Sequence, residues 1–253
     1  AGTGGNIFGS TTTIVNSGSG YLLTGNTSAD IFNGNLTVTN TGSSTIHLAY
    51  NTPGNQFNGN ITFNSTLGSG GVYFANTANG AATLGNGASL LTGGLGYSSG
   101  ELSIKRFSQI GNTAQTLLLT GTALLRLGPT SQFNGNLDFR APQIALDGCT
   151  FNGTSYLEKT GATNDNSSGG NVFNGPTTIA NSGTGYIRSG LSVLDIFNGD
   201  LTLTNTGPSS IRMADNIPGT VFNGNIIVTP PLVRAFTSAP VPTGPPPWPL
   251  ARQ

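Results

Sequence analysis

The chain has 253 residues, of which only 7% are charged, nine basic and nine acidic, against 39 glycines. Zero formal charge removes the electrostatic case for nucleic acid or an anionic membrane as a partner. No apolar run approaches a membrane span, and a single cysteine, Cys149, excludes an internal disulfide.

Apolar residues make up 35% of the chain and alternate in order, unlike the composition of a disordered polar chain. No basic-then-apolar leader stands at Ala1, so the chain reads as a processed form or an excerpt.

One motif recurs along the chain. It is Phe32-Asn33-Gly34-Asn35-Leu36-Thr37-Val38, and it returns with its anchors at Phe57, Phe133, Phe197 and Phe222. Shorter forms begin at Phe151 and Phe173. Adding Phe8 and two weaker members, Leu84 and Ile110, gives ten anchors spaced by 24, 25, 27, 26, 23, 18, 22, 24 and 25 residues. A period in the low-to-middle twenties suits one coil of a β-solenoid or a leucine-rich repeat. The leucine-rich reading fails, because no L-x-x-L-x-L pattern accompanies the period and helix formers are scarce.

Within each coil the spacing is that of strands. Four residues after the anchor come Leu36, Ile61, Leu137, Leu201 and Ile226. Six after it come Ile14, Val38, Phe63, Leu90, Phe139, Ile179, Leu203 and Val228. Between them lie Thr13, Thr37, Thr62, Ser89, Asp138, Thr178 and Thr202, a period-two alternation that predicts half-buried strands. A second alternating run follows about ten residues later, as in Ile46-His47-Leu48, Val72-Tyr73-Phe74, Leu102-Ser103-Ile104, Ile144-Ala145-Leu146 and Ile211-Arg212-Met213. Gly, Asn and Pro punctuate the turns, as at Asn51-Thr52-Pro53-Gly54 and Asn216-Ile217-Pro218-Gly219.

A longer repeat lies over the coils. Residues 6–63 align without a gap to residues 171–228, with 33 of 58 positions identical at an offset of 165. After Val228 the pattern stops, and eight of the 14 prolines fall in the last 24 residues. The expected organisation is an all-β parallel β-helix of about ten coils over residues 1–229, followed by a Pro-rich extended tail over residues 230–253. Stacking at about 4.8 Å per coil makes a rod about 45–50 Å long.

Each motif position has a structural expectation. Phe8, Phe32, Phe57, Phe133, Phe151, Phe173, Phe197 and Phe222 form an aromatic stack. Asn33, Asn58, Asn134, Asn152, Asn174, Asn198 and Asn223 form an amide ladder. Gly is expected to supply a positive φ at the corner.

In period and residue class, residues 6–228 resemble the Gly/Asn/Thr-rich β-helices of secreted bacterial surface proteins, such as haemagglutinin-like and adhesin stalks. The resemblance implies an exported, extracellular or cell-surface, non-enzymatic protein without a cofactor. It supplies no functional residues that map here one by one.

Few ionisable side chains are present to carry chemistry. Polysaccharide lyases and hydrolases also use β-helices, and glycoside hydrolysis needs two carboxylates at a set separation. Asp138, Asp147 and Glu158 fall in adjacent coils and are the best acidic candidates, though they read first as surface carboxylates. Asp30 and Asp195 occupy equivalent places before an anchor Phe, which suggests a repeated corner role. His47 is the only histidine and its counterpart in the long repeat is Arg212, so a solvated strand face is the expectation and no Ser-His-Asp arrangement is available. Cys149 reads as a small core residue, and no metal-ligand spacing occurs. The pairs Thr37/Thr39 and Thr202/Thr204 match an ice-binding face, but Asp138/Arg140, Ser89/Leu91 and Ile227 interrupt it. Tyr21 and Tyr186 recur in Gly-x-Gly-Tyr contexts and could stack on surface glycans.

The rod's ends carry the remaining expectation. Neither end reads as a cap helix, and the first and last blocks are near copies. Head-to-tail stacking into a homo-polymer is therefore expected through Ile7, Phe8, Phe222, Ile226 and Val228, with the tail contributing Val241, Trp248 and Leu250.

Overall fold

The computed structural model describes residues 3–66, 68–214 and 219–229. Its described residues form 28 parallel-paired strands and no helix, wound as a β-solenoid. Each full coil contributes one strand to each of three faces. The first face holds the anchor strands in one unbroken ten-stranded sheet, so nine turns separate coil 1 (Phe8) from coil 10 (Phe222). No helix among the described residues is long and apolar enough to cross a membrane.

The second and third faces are each interrupted once. The second-face strands of coils 1–4 form one sheet and those of coils 5–10 another. On the third face, coils 1–6 form a six-stranded sheet and coils 8 and 9 a separate pair. Coil 7 passes between them through residues 164–168 without a strand.

Rung pairing is in register, which keeps like residues above like. Leu36 pairs with Ile61, Thr37 with Thr62 and Val38 with Phe63, so alternate side chains enter the core at every level. Interior anchors are fully buried and their rings stack at 4.7 Å between Phe151 and Phe173 and 4.6 Å between Phe173 and Phe197. The stack breaks where coils 4 and 5 carry Leu84 and a polar residue. Phe74 and Phe107 fill that gap from other positions, edge to face at 5.3 Å.

Three expectations need correction. The coil-5 anchor is Gln109, not Ile110: Gln109 pairs with Leu84 and is buried, whereas Ile110 is 61% exposed. Gln109 keeps the place because both ends of its amide are hydrogen-bonded, with Oε1 accepting the Asn134 and Gly135 N–H groups and Nε2 donating to the Thr113 carbonyl. In coil 4, Leu90 pairs with Ile61 and Leu91 with Thr62, so Leu90 takes the inward slot four residues after the anchor and Leu91 the outward one. Two extra turn residues before Leu90 cause that shift.

The motif glycines are not positive-φ residues; Gly34, Gly59, Gly153 and Gly199 lie outside that region. They are glycines because the coils nearly touch there. A Cβ on Gly59 would sit 2.6 Å from the Gly34 carbonyl carbon, and one on Gly153 2.6 Å from that of Gly135. Positive φ occurs instead at the corner after the third strand, at Gly25, Ala49, Ala75, Gly190 and Ala214.

Candidate functional site

The amide ladder lies along the corner after the anchor strand. Asn58 Nδ2 donates to Asn33 Oδ1 at 2.9 Å. Across the middle coils, Gly85 and Ile110 replace the Asn. The ladder resumes at Asn134, whose Nδ2 donates to the Gln109 carbonyl, and continues through Asn152, Asn174, Asn198 and Asn223, each Nδ2 donating to the preceding Asn Oδ1 at 2.7 or 2.8 Å. These side chains hydrogen-bond one another, which ties each coil to the next at strand spacing.

A second polar line lies two residues before the anchor, inside the corner. Asp30 Oδ1 accepts from the Asn6 backbone and side chain, its Oδ2 accepts the Gly25 N–H, and its own N–H donates to Asn55. Asp195 repeats the arrangement with Asn171 and Ser189. Burial raises the Asp195 carboxyl's pKa, against the pull of the Ser189 and Asn171 hydrogen bonds. Both aspartates are buried corner residues that bind backbone.

The acidic candidates separate onto two faces. Asp138 and Glu158 lie on the second face around Arg140, which takes both oxygens of Asp138 at 2.8 and 3.0 Å and reaches Glu158 at 3.5 Å. The Arg140 guanidinium lies 4.8 Å from the Tyr156 ring, and Tyr156 donates to Glu158. Asp147 lies on the third-face corner, where Arg126 bridges it to Glu101. Adjacency in coil number therefore does not make Asp138, Asp147 and Glu158 one cluster.

The sequence reading missed two buried ionisable groups. Where coil 7 lacks its third strand, side chains replace backbone as acceptors: Ile144 N–H donates to Asp165 Oδ2 and Leu146 N–H to Ser167 Oγ. That spacing opens a polar cavity of about 190 Å³ lined by Arg126, Gln143, Asn164, Asp165 and Asn166. Asp165 is 4% exposed, and burial pushes its carboxyl up to about 7 against the pull of the Ile144 N–H and the Lys159 charge. Lys159 is itself buried, donates to the carbonyls of Pro142 and Gly161, and has its pKa lowered by burial. The available signal was Asn164-Asp165-Asn166-Ser167, which stands where other coils carry two alternating apolar residues.

The remaining candidates fall singly. His47 lies on the third face, stacked on Tyr73 at 5.3 Å, with its pKa lowered by burial. Cys149 is buried, donates to the Gly128 carbonyl, and has its thiol pKa raised by burial. The guanidinium groups of Arg188 and Arg212 lie 5.1 and 4.1 Å from the Tyr186 ring, whereas Tyr21 is exposed. No group of three potential metal ligands occurs among the described residues.

At the ends, core-type side chains come to the surface. Ile7 is 69% exposed and Phe8 half-buried on coil 1; Phe222 and Val228 are half-buried and Ile226 exposed on coil 10. Val241, Trp248 and Leu250 lie outside the described residues. Compared with protein families, curated proteins and solved structures, the chain matches none.

Proposed function

We propose that this chain is a non-enzymatic structural element, an extracellular filament subunit or adhesin stalk whose axis lengthens by adding coils at its ends. One observation supports the reading. Coils 1 and 10 are near copies, over their described residues, of coils that elsewhere in the same molecule are paired on the side that no described residue covers here. The coil of Phe8 copies that of Phe173, whose anchor strand pairs with Phe151. The coil of Phe222 copies that of Phe57, whose strand pairs with Leu84. Among the described residues both edges thus have the side chains to accept a parallel strand, and an open heterologous contact propagates as a fibre. The extracellular setting rests on the resemblance to exported surface β-helices.

Electron microscopy of the purified chain over a concentration series tests the assembly. The expected result is rods in multiples of about 45–50 Å, the length of one solenoid by strand spacing, shortened by Ile226→Arg. Isolated single rods at every concentration would overturn it.

A carbohydrate-active solenoid is the second reading, favoured by the Asp165 cavity beside Arg126, Glu101 and Asp147. Degradation of any polysaccharide in a screen, lost in Asp147→Ala and kept in Asp138→Ala on the other face, would replace the structural reading with this one.

A further inference from the structure

Asn-Gly occurs nine times in the chain. It is the dipeptide in which a backbone nitrogen most readily attacks the preceding side-chain amide, because glycine has no Cβ to shield that nitrogen. The fold treats the nine pairs unequally. Seven belong to the corner after the anchor strand, from Asn33 to Asn223. There the Asn N–H donates to the coil before it, as Asn58 does to Phe32 and Asn198 to Phe173. The side-chain amide is tied into the ladder, and a Cβ on the following glycine would lie 2.2–2.6 Å from the backbone of the preceding coil. In the eighth pair, Asn79-Gly80, the Gly80 N–H donates to the Thr77 carbonyl, and Gly80 is buried against the Ala49 carbonyl. Ring closure at any of these eight would break hydrogen bonds and move packed backbone.

Asn86-Gly87 has neither restraint. The pair forms the two central positions of a β-turn, which the Ala88 N–H closes on the Gly85 carbonyl at 3.2 Å, with Gly87 at φ 81°. Both residues are exposed, and no hydrogen bond among the described residues involves either of them. A Cβ on Gly87 would meet nothing within 4 Å, so the central peptide of the turn can rotate without disturbing a neighbour. The Asn86 side chain lies over Gly111 of coil 5, where a Cβ would sit 2.2 Å from Oδ1, and the glycine leaves it room.

This turn leads into the break in the second face. Between coils 4 and 5 the strands Leu90–Tyr97 and Gln115–Leu118 part, and side chains span the gap. Gln115 accepts the Leu90 N–H at 2.7 Å and donates to the Ala88 carbonyl, while Thr92 Oγ1 accepts the Leu118 N–H. Coil 4 bulges outward between Thr92 and Tyr97, and a groove of about 440 Å³ lies there between Leu91 and Leu118. One end of the side-chain bridge, Ala88, thus adjoins the unrestrained pair.

We propose that Asn86 is a spontaneous modification site, which converts to aspartate and isoaspartate and loosens the join between coils 4 and 5. The Gly87 nitrogen, its proton taken by solvent base, bonds to Asn86 Cγ and closes a five-membered succinimide. The side-chain nitrogen leaves as ammonia. Water then opens the ring at either carbonyl, giving aspartate or isoaspartate, so the net change is amide plus water to acid plus ammonia with no redox partner. Either product puts a negative charge on a chain of zero net charge. Isoaspartate also routes the main chain through Cβ, lengthening it by one atom just before the bridge at Ala88. The site is independent of end-to-end stacking.

Peptide mapping by mass spectrometry tests the site, on the full chain incubated in mildly alkaline heavy-oxygen water and digested with pepsin in acid. The expected result is label entering Asn86 severalfold faster than any of the other eight pairs, whereas in urea all nine convert at comparable rates. Asn86→Gln should abolish the early label, because glutamine closes its larger ring slowly, and should leave thermal melting unchanged. Asn86 reacting no faster than the ladder pairs in the folded chain would overturn the proposal. So would the same preference for Asn86 in urea, which would assign it to local sequence instead of to the fold. For the join, hydrogen exchange at the Leu90 and Leu118 amides should rise severalfold in the converted fraction, separated by anion exchange. It should not rise in Asn86→Asp, which adds the charge alone. Unchanged exchange in the converted fraction would overturn the loosening.

Discussion

Residues 6–63 and 171–228 build coils from the same few residues, whereas residues 64–170 build the same coil from different ones. The outer blocks carry uninterrupted Phe stacks and Asn–Asn rungs, and the first of them contains a single charged residue, Asp30. The middle holds ten of the chain's 18 charged residues, the Leu84 and Gln109 anchors, the groove and the polar cavity. Both sheet breaks lie there as well. Repetition makes a coil easy to stack because each side chain finds its own likeness at about 4.8 Å. Departure from repetition leaves side chains to do what backbone does elsewhere, and cavities open where they do. In this molecule the outer blocks serve the axis and the middle supplies its distinct surfaces.

Substitutions sharpen that contrast, beginning with the largest expected effect. Phe173→Ala removes a buried ring stacked on both sides and should cost about 3–5 kcal/mol. Phe8→Ala, half-buried and stacked only on Phe32, should cost less than half as much in the same urea titration. Equal losses would mean that neither the deeper burial nor the second stacking partner of Phe173 adds to its contribution.

The pH profile addresses the middle. Asp165 has its pKa raised from 3.8 to about 7 in the fold, so the folded chain holds that proton more tightly than the unfolded chain. Its contribution is complete below pH about 4 and vanishes as the pH rises through about 7, up to about 2–4 kcal/mol by linkage. Melting at pH 5 and pH 8 should therefore favour pH 5, and Asp165→Asn should flatten the difference by removing the titration. An unchanged profile in that variant would assign the effect to another group.

Glycine positions give the next contrast. Gly199→Ala places a methyl 2.6 Å from the Gly175 carbonyl, a backbone contact that cannot move aside, and should destabilise by about 1–3 kcal/mol. Gly94→Ala, in the bulge of the middle region, meets nothing within 4 Å and should be nearly neutral in the same melt.

The smallest effect is expected from the ladder. Asn174→Ala deletes hydrogen bonds to Asn152 and Asn198 and should cost about 1 kcal/mol by thermal melting, since those groups regain water at the surface.

How much was legible in the sequence follows the same division. Period, strand alternation and the residues of the Phe and Asn rows could be read because identical positions repeat. Gln109 was missed because a buried amide in an aromatic row has no hydrophobic signal, and the neighbouring Ile110 offered a false one. Leu90 slipped by one inward slot because two inserted turn residues leave the alternation intact while shifting its register. Lys159 and Asp165 were unreadable as buried groups, since an inward charge becomes apparent only once its row is known to be core. The motif glycines were identified correctly but for another reason: sequence reveals that a side chain is absent, not whether dihedral angle or close approach requires it.

The Asn rungs also give the rod a direction. Every Asn–Asn rung has the same sense, the amide on the coil-10 side donating to the one nearer coil 1. Their dipoles therefore add along the axis, as peptide dipoles do in a helix. Two rods meeting by their coil-10 ends would oppose Asn223 Oδ1 to its own copy, acceptor against acceptor, with the strands antiparallel. Joining in sequence keeps one sense throughout, so a fibre of this protein would be vectorial, with chemically distinct ends at which growth and attachment need not be equivalent.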